Sequence, residues 1–413
     1  MGVIQSPVLR DADAPARWRM LALLVCAELL GMSLWFAGSA AAPLLRQAWN
    51  LTDSQVAWLT TATQLGFVVG TAVSALLNLA DIIPTRLFFA ACALLGATTN
   101  GWLAVTDSLG PAIASRFLAG VFLAGVYPPA MKMAATWFRD RRGLAVGAVV
   151  GALTVGKAGP YLISAIPGAG VGFITALASA SAVIAAAIVF VGYRDGPFAF
   201  PSRPFSWLRT REVIGSRAWR LALGGYLGHM AELYSYWTWI PAFLAASMIG
   251  DPHALTATAS PAIRVLAFAV IAVGGAGCIW GGLVADRIGR TPLVIRALTV
   301  SAACCAGIGL AFGHSLWLLA PIALVWGFFI IADSAQFSVL VAESVAPHAV
   351  GTAITLQVSL GFLLTTATIQ VVPVVVRTLG WPWVFALLSI GPLAGILAVR
   401  RLTLSAEPRG LAL

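Results

Sequence analysis

Apolar runs, many of 18 residues or more, alternate along the chain with short polar segments, and each predicts a helix able to cross about 30 Å of hydrocarbon. Twelve such spans use most of the 413 residues. In the first half they fall at about Met20–Ala42, Val56–Leu79, Leu87–Val105, Pro111–Thr136, Leu144–Ile166 and Val171–Val191. In the second they fall at about Trp219–Met248, Ile263–Ala285, Pro292–Phe312, Leu316–Val341, Gly351–Val376 and Trp381–Val399. A soluble multidomain protein would show amphipathic stripes instead. Residues 193–218 break the rhythm, with Pro197, Pro201 and Pro204 among Arg194, Arg203, Arg209, Arg211 and Arg217. A polar, basic, proline-spaced stretch at the midpoint reads as a linker between two bundles, 19–192 and 219–400, with tails at 1–18 and 401–413. The expected fold class is an all-α membrane protein: twelve transmembrane helices in two pseudo-symmetric six-helix bundles.

The polar segments carry the signatures. Gly282-Leu283-Val284-Ala285-Asp286-Arg287-Ile288-Gly289-Arg290 is too charged to lie in lipid, so it is expected as a tight loop at the membrane surface, its arginines on the cytoplasmic side. Gly282 would let a neighbouring helix approach, Asp286 could cap a helix N-terminus, and Arg287 and Arg290 would anchor to headgroups. The spacing G-x-x-x-D-R-x-G-R resembles the loop signature of the major facilitator superfamily, which joins the second and third helices of a six-helix half. A worn copy, Asn78-Leu79-Ala80-Asp81-Ile82-Ile83-Pro84-Thr85-Arg86, puts Asp81 205 positions before Asp286. Span 1 reads Ala27-Glu28-Leu29-Leu30-Gly31-Met32-Ser33-Leu34-Trp35-Phe36. Span 7 reads Ala231-Glu232-Leu233-Tyr234-Ser235-Tyr236-Trp237-Thr238-Trp239-Ile240, so Glu28 and Glu232 align at an offset of 204. Arg142-Gly143 before span 5 corresponds to Val350-Gly351 before span 11. Two parallel-repeat halves are the superfamily's architecture, and the resemblance covers nearly the whole chain.

Composition removes other classes. The chain is 60% hydrophobic and 10% charged, and its net charge of +10 could suggest nucleic acid. Of 25 Lys and Arg, however, three fall in outer loops (Arg46, Arg264, Arg377) and three within spans (Arg116, Lys132, Lys157). The rest lie in segments assigned to the cytoplasm, including the turn Trp137-Phe138-Arg139-Asp140-Arg141-Arg142-Gly143, so the positive-inside rule accounts for the charge. Both termini are expected in the cytoplasm and the protein in a bacterial inner membrane, with no nucleic-acid partner. No cleavable signal peptide is expected, because Arg10, Arg17 and Arg19 precede a run too long for one. The five cysteines lie in apolar runs without metal-type spacing and read as packing residues.

Charges inside spans are costly and mark function or a partner. In the superfamily, spans 1, 4, 7 and 10 line the central cavity, so the resemblance places Glu28, Arg116, Glu232 and Asp333 there. Glu28 lies about nine residues into span 1, roughly 13 Å deep at the helical rise. Glu232 lies at comparable depth with His229 on the same face, and a carboxylate beside an imidazole suits a proton carrier as well as a structural hydrogen bond. Arg116-Phe117-Leu118-Ala119-Gly120 resembles the family's span 4 R-x-x-x-G stretch. Since Arg stays charged, it should meet an anion or a carboxylate. Lys157 interrupts a small-residue face at Gly147, Gly151, Gly156 and Gly159-Pro160. That stretch partly resembles the signature of drug antiporters, but one spacing is short and a following Gly-Gly is absent. Arg116 and Lys157 at similar depth need negative charge between them: Glu28 or an anionic substrate. Lys132, near the span end, should snorkel. Trp35, Tyr127, Tyr236 and Trp239 are candidate cavity walls, with lipid-facing or core positions the plainer alternative; Glu343 and His348 read as loop residues.

The resemblance implies a secondary transporter working by alternating access, with Asp81, Arg86, Gly282, Asp286, Arg287, Gly289 and Arg290 in its gating loops. No Walker glycine loop, nucleophile–base pair or metal cluster appears, so neither an enzyme nor a cofactor is expected. The cations point to a small anion such as an organic carboxylate, held by Arg116 and Lys157, with protons carried by Glu28, Glu232, His229 and Asp333. A proton-driven efflux antiporter for lipophilic cations is the alternative. A nitrate porter is disfavoured because span 2 has no arginine, and a non-transporting receptor or assembly factor because the loops are short. Expected partners are the substrate, a proton or other coupling ion and the bilayer; a monomer is expected.

Overall fold

The computed structural model describes residues 14–138, 142–198, 207–255, 259–346 and 348–406. The tail before Ala14, the basic turn Arg139–Arg141, linker residues 199–206 and the tail from residue 407 lie outside the described residues. Eleven helices among them are long and apolar enough to cross a membrane. Spans 1–6 are Pro15–Trp49, Asp53–Leu76, Thr85–Val105, Leu109–Trp137, Gly143–Ser164 and Val171–Gly192. Spans 8–12 are Pro261–Ile288, Arg290–Ala311, Leu316–Glu343, Val350–Leu379 and Trp381–Ser405. Span 7, Arg217–Ile249, is a twelfth helix of 33 residues that stands apart from these eleven in composition, with Arg217, Arg220, His229 and Glu232 along it. The linker is not wholly irregular, since Trp207–Gly215 forms a helix whose Glu212 meets His348 at 3.0 Å.

Two expectations change in detail. The Gly282–Arg290 loop shrinks to one residue: span 8 stays helical through Ile288, and Gly289, at φ 89°, turns the chain into the helix that starts at Arg290. Exposed Asp286 and Arg287 keep their heads in water while their backbone remains helical, so the charge cluster does not force an open loop. Asp286 therefore does not cap the next helix. Its carboxylate instead lies near Gly143 in the first turn of span 5, where negative charge suits the helix dipole. Arg290 pairs with Glu343, which ends span 10 rather than lying in a loop. The worn first copy is wider, with Asn78 left-handed at φ 54° and a single turn Leu79–Ile82 that contains Asp81. Arg86 is exposed at the start of span 3. Lys132 donates to the Ala80 carbonyl at 2.8 Å, tying span 4 to that turn.

Four spans break partway, span 12 briefly at Ser389 between Trp381–Leu388 and Ile390–Ala406. Span 1 passes from α-helix (Ala14–Gly31) through a 3-10 turn (Met32–Leu34) to a second helix (Ala37–Trp49). Span 4 breaks between Leu123 and Tyr127, and span 10 at Asp333. A break frees carbonyls and amides inside the bundle, where only protein groups or bound solutes can satisfy them.

Spans 5 and 8 join the two halves. A Cβ on Gly151 would come within 2.8 Å of the Gly275 carbonyl, and one on Gly147 within 3.2 Å of the Cys278 carbonyl. With no hydrophobic drive between helices in lipid, such backbone proximity supplies the packing attraction. The contact runs the length of the pair, from Gly143 against Gly282 to Ser164 against Arg264. Spans 2 and 11 make the second seam, with the Phe67 ring tilted against that of Phe362 at 4.5 Å and Gln370 bonded to Thr61 at 3.1 Å.

Candidate functional site

Lys157 is the centre of the buried interior. Its ammonium stands 3.7 Å over the Trp35 ring, 4.7 Å from that of Tyr234 and 5.1 Å from that of Trp237. It donates to the Tyr234 hydroxyl at 2.5 Å. Cation–π attraction, worth about 2 kcal/mol when desolvated, offsets only part of the cost of burying an ammonium. Trp35 packs on Phe67 at 5.0 Å and Phe362 at 5.6 Å, so spans 1, 2, 7 and 11 all contribute to this aromatic box. Tyr127 stacks on Phe67 from span 4.

Glu28 is fully buried within electrostatic reach of Lys157 and Tyr127. Neither of its carboxyl oxygens takes a hydrogen bond among the described residues. A buried carboxyl without donors is unusual and calls for a specific explanation.

Arg116 serves the break in span 1. It donates to the Leu34 and Trp35 carbonyls at 2.8 and 2.7 Å and to Asn100 Oδ1 at 2.7 Å. This departs from the expectation that its charge meets an anion or a carboxylate: three neutral oxygens take it. Trp35 thus joins two cations, its ring facing Lys157 and its carbonyl facing Arg116.

The second half is arranged differently. Glu232 Oε1 accepts from Ser301 Oγ and Trp326 Nε1, both at 2.7 Å. His229 turns to Asp333 rather than Glu232, its Nδ1 lying 3.0 Å from Asp333 Oδ1 at the break in span 10. Tyr236 packs on Trp326 at 4.3 Å and donates to the Ala323 carbonyl at 2.8 Å. Glu232, Tyr236 and Trp239, at i, i+4 and i+7, share a face turned into their own bundle, whereas Tyr234 and Trp237, at i and i+3, face the first half. Sequence reasoning missed those two. Their spacing relative to Glu232 is the signal that separates the faces. Trp239, bonded to the Ile369 carbonyl at 3.0 Å, also borders a cleft of about 80 Å³ at the face opposite the termini.

A sequence profile of the Major Facilitator Superfamily matches residues 23–368. The chain belongs to the major facilitator superfamily. Among solved structures of this fold, a bacterial homolog of the human lysosomal transporter Spinster, inward-facing and unoccupied, superposes with a TM-score of 0.65 at 14% identity, covering 95% of this chain and 96% of that one. The nucleoside transporter NupG gives 0.68 at 14% identity, with 93% and 99% covered. These likenesses concern the fold alone. In sequence, the hexuronate transporter of Escherichia coli (strain K12) is 29% identical over 132 residues, 32% of this chain and 30% of that protein. The galacturonate transporter of Dickeya chrysanthemi is 27% identical over 149 residues, 36% and 43% of the two chains. The chain thus matches less than half the length of either relative. As a superfamily member it is an integral membrane transporter rather than an enzyme.

Proposed function

We propose that this transporter moves a small organic carboxylate of the hexuronate type together with a proton, by rocking its halves about the Lys157 box. The observation that carries this reading is a buried ammonium whose described hydrogen bond goes to a hydroxyl and whose walls are aromatic. A substrate carboxylate would displace the Tyr234 hydroxyl, and a sugar ring would lie against Trp35 or Trp237. The partial likeness to hexuronate and galacturonate transporters supports the same substrate class.

Glu28 supplies the coupling. While charged it competes with the substrate for Lys157. A substrate carboxylate in contact with Lys157, at an effective dielectric near 20, is worth on the order of 4 kcal/mol, roughly a thousandfold in affinity, and a charged Glu28 nearby takes part of that away. Protonating Glu28 frees the ammonium, so substrate and proton bind together and the pair crosses with less charge to desolvate. The His229–Asp333 pair is a second protonatable group at the span 10 break. Both termini lie in the cytoplasm of a bacterial inner-membrane protein in this reading, and one chain is the working unit.

The test is counterflow of radiolabelled D-galacturonate in proteoliposomes containing the wild type, Lys157→Met or Lys157→Arg. Exchange by the wild type, lost in Lys157→Met, is expected. Undiminished exchange by Lys157→Met, or exchange of lipophilic cations in place of the sugar acid, would overturn the reading in favour of an efflux antiporter.

A further inference from the structure

Arg264 lies in the first turn of span 8, at the face opposite the termini, and it is the charged member of the cleft there. Ser39, Thr60, Tyr161, Thr238 and Trp239 line the same cleft, and Thr238 Oγ1 takes no hydrogen bond among the described residues. The Arg264 guanidinium donates to the carbonyl of Ser164, the last residue of span 5, and through Nε to Ala259 at 3.2 Å. Ser164 belongs to the first half and Arg264 to the second, so this bond crosses the seam. A terminal helix carbonyl is an unused acceptor at the negative end of the dipole, a good resting place for a guanidinium. Gln370 makes the companion crossing, donating to Thr61 at 3.1 Å and accepting from Ser54 at 3.3 Å. No carboxylate pairs with Arg264 among the described residues, so parting the halves at this face would bare its charge.

What lies beneath the cleft gives that charge a use. Tyr161, in the lining, is one helical turn from Lys157 and contacts Phe36, which packs against Trp237 of the lysine box. Seven residues separate Ser164 from Lys157, about 10 Å of helix. Two cations therefore stand in series along span 5, one held at its end and one two turns inside.

We infer that Arg264 is a gating and docking residue at this mouth. Closed, it latches the halves through Ser164; open, it receives an entering anion before that anion reaches Lys157. Only the onward passage to Lys157 rests on the proposed function.

The experiment uses the full chain in detergent, with its native cysteines replaced and Ala57→Cys introduced as a reporter in the cleft lining. Its modification rate is measured with negatively charged sulfonatoethyl and positively charged trimethylammonioethyl methanethiosulfonate. With Arg264 present the anionic reagent should be favoured. Arg264→Gln should lower the anionic-to-cationic rate ratio about tenfold, the low end of what one-signed fields do to local concentration, and should speed both reactions by loosening the latch. Arg264→Lys, which keeps the charge, should keep the ratio. Size-exclusion profiles confirm that each variant is folded. An unchanged ratio in Arg264→Gln overturns the docking role, and unchanged rates overturn the latch. The ratio requires no substrate. Failure of D-galacturonate transport by the unmodified protein would strike the proposed function and leave this inference standing.

Discussion

Glu28 and Glu232 stand 204 positions apart in matching stretches of spans 1 and 7, yet the two halves surround them differently. Among the described residues Glu28 has no hydrogen-bond donor, and it has a lysine in electrostatic reach. Glu232 has two donors, Ser301 and Trp326, both from its own bundle. The difference teaches that a repeat preserves a residue's depth without preserving its partners, and that partners decide whether a buried acid can exchange protons or is fixed in a network. Under the proposed function, the first half therefore holds the exchangeable chemistry. The second half supplies part of the wall, through Tyr234 and Trp237, and holds its own span 7 carboxylate in place through Ser301 and Trp326.

The sharpest way to break that comparison is at Lys157. Lys157→Met should reduce D-galacturonate flux by more than about a hundredfold, the larger part of the ~4 kcal/mol contact. Combined with Glu28→Gln, so that no partner charge is left unpaired, it should hold or raise the melting temperature in detergent, because replacing buried opposite charges together is often neutral or stabilising. Arg116→Met should do the opposite to stability. Three buried acceptors would lose their donor, at about 3 kcal/mol in total, measured by thermal unfolding in detergent. Equal melting losses in the two variants would erase the distinction between a site cation and a structural one.

Smaller changes refine the roles. Tyr234→Phe removes the hydroxyl that the substrate carboxylate must displace from Lys157 and should lower KM for the sugar acid about fivefold with kcat nearly intact, read from initial uptake rates. Glu232→Gln should cost only about 1 kcal/mol of stability, since an amide oxygen still accepts from Ser301 and Trp326, and should leave flux within about twofold. A large transport defect in Glu232→Gln would return the second half to the centre of the chemistry.

Much of this was legible in the chain. The twelve spans in two bundles follow from hydropathy and from the 204- and 205-residue offsets, because lipid demands long apolar helices and duplicated bundles keep their spacing. Lys157 and Glu28 stood out because charge inside an apolar run has few explanations. The break in span 1 was not legible: Gly31 through Phe36 contains nothing that forces a helix to stop, and the turn there is held by Arg116 from span 4. For the same reason the partners of Arg116 were misjudged, since its acceptors are carbonyls that exist only once the helix is broken. The repeat alone does not separate the faces of span 7: Trp239 stands at the same 204-residue offset from Trp35, yet it is Trp237 that reaches Lys157. The nine-residue loop at Gly282 contracted to Gly289 because surface charges tolerate a helical backbone.

The most direct measurement compares pH-driven uptake with counterflow of D-galacturonate in proteoliposomes bearing the wild type, Glu28→Gln or Glu232→Gln. Glu28→Gln should keep counterflow and lose its response to the pH gradient, while Glu232→Gln should keep both. A gradient response that survives Glu28→Gln, or that disappears with Glu232→Gln, would contradict the assignment of proton coupling to the first half.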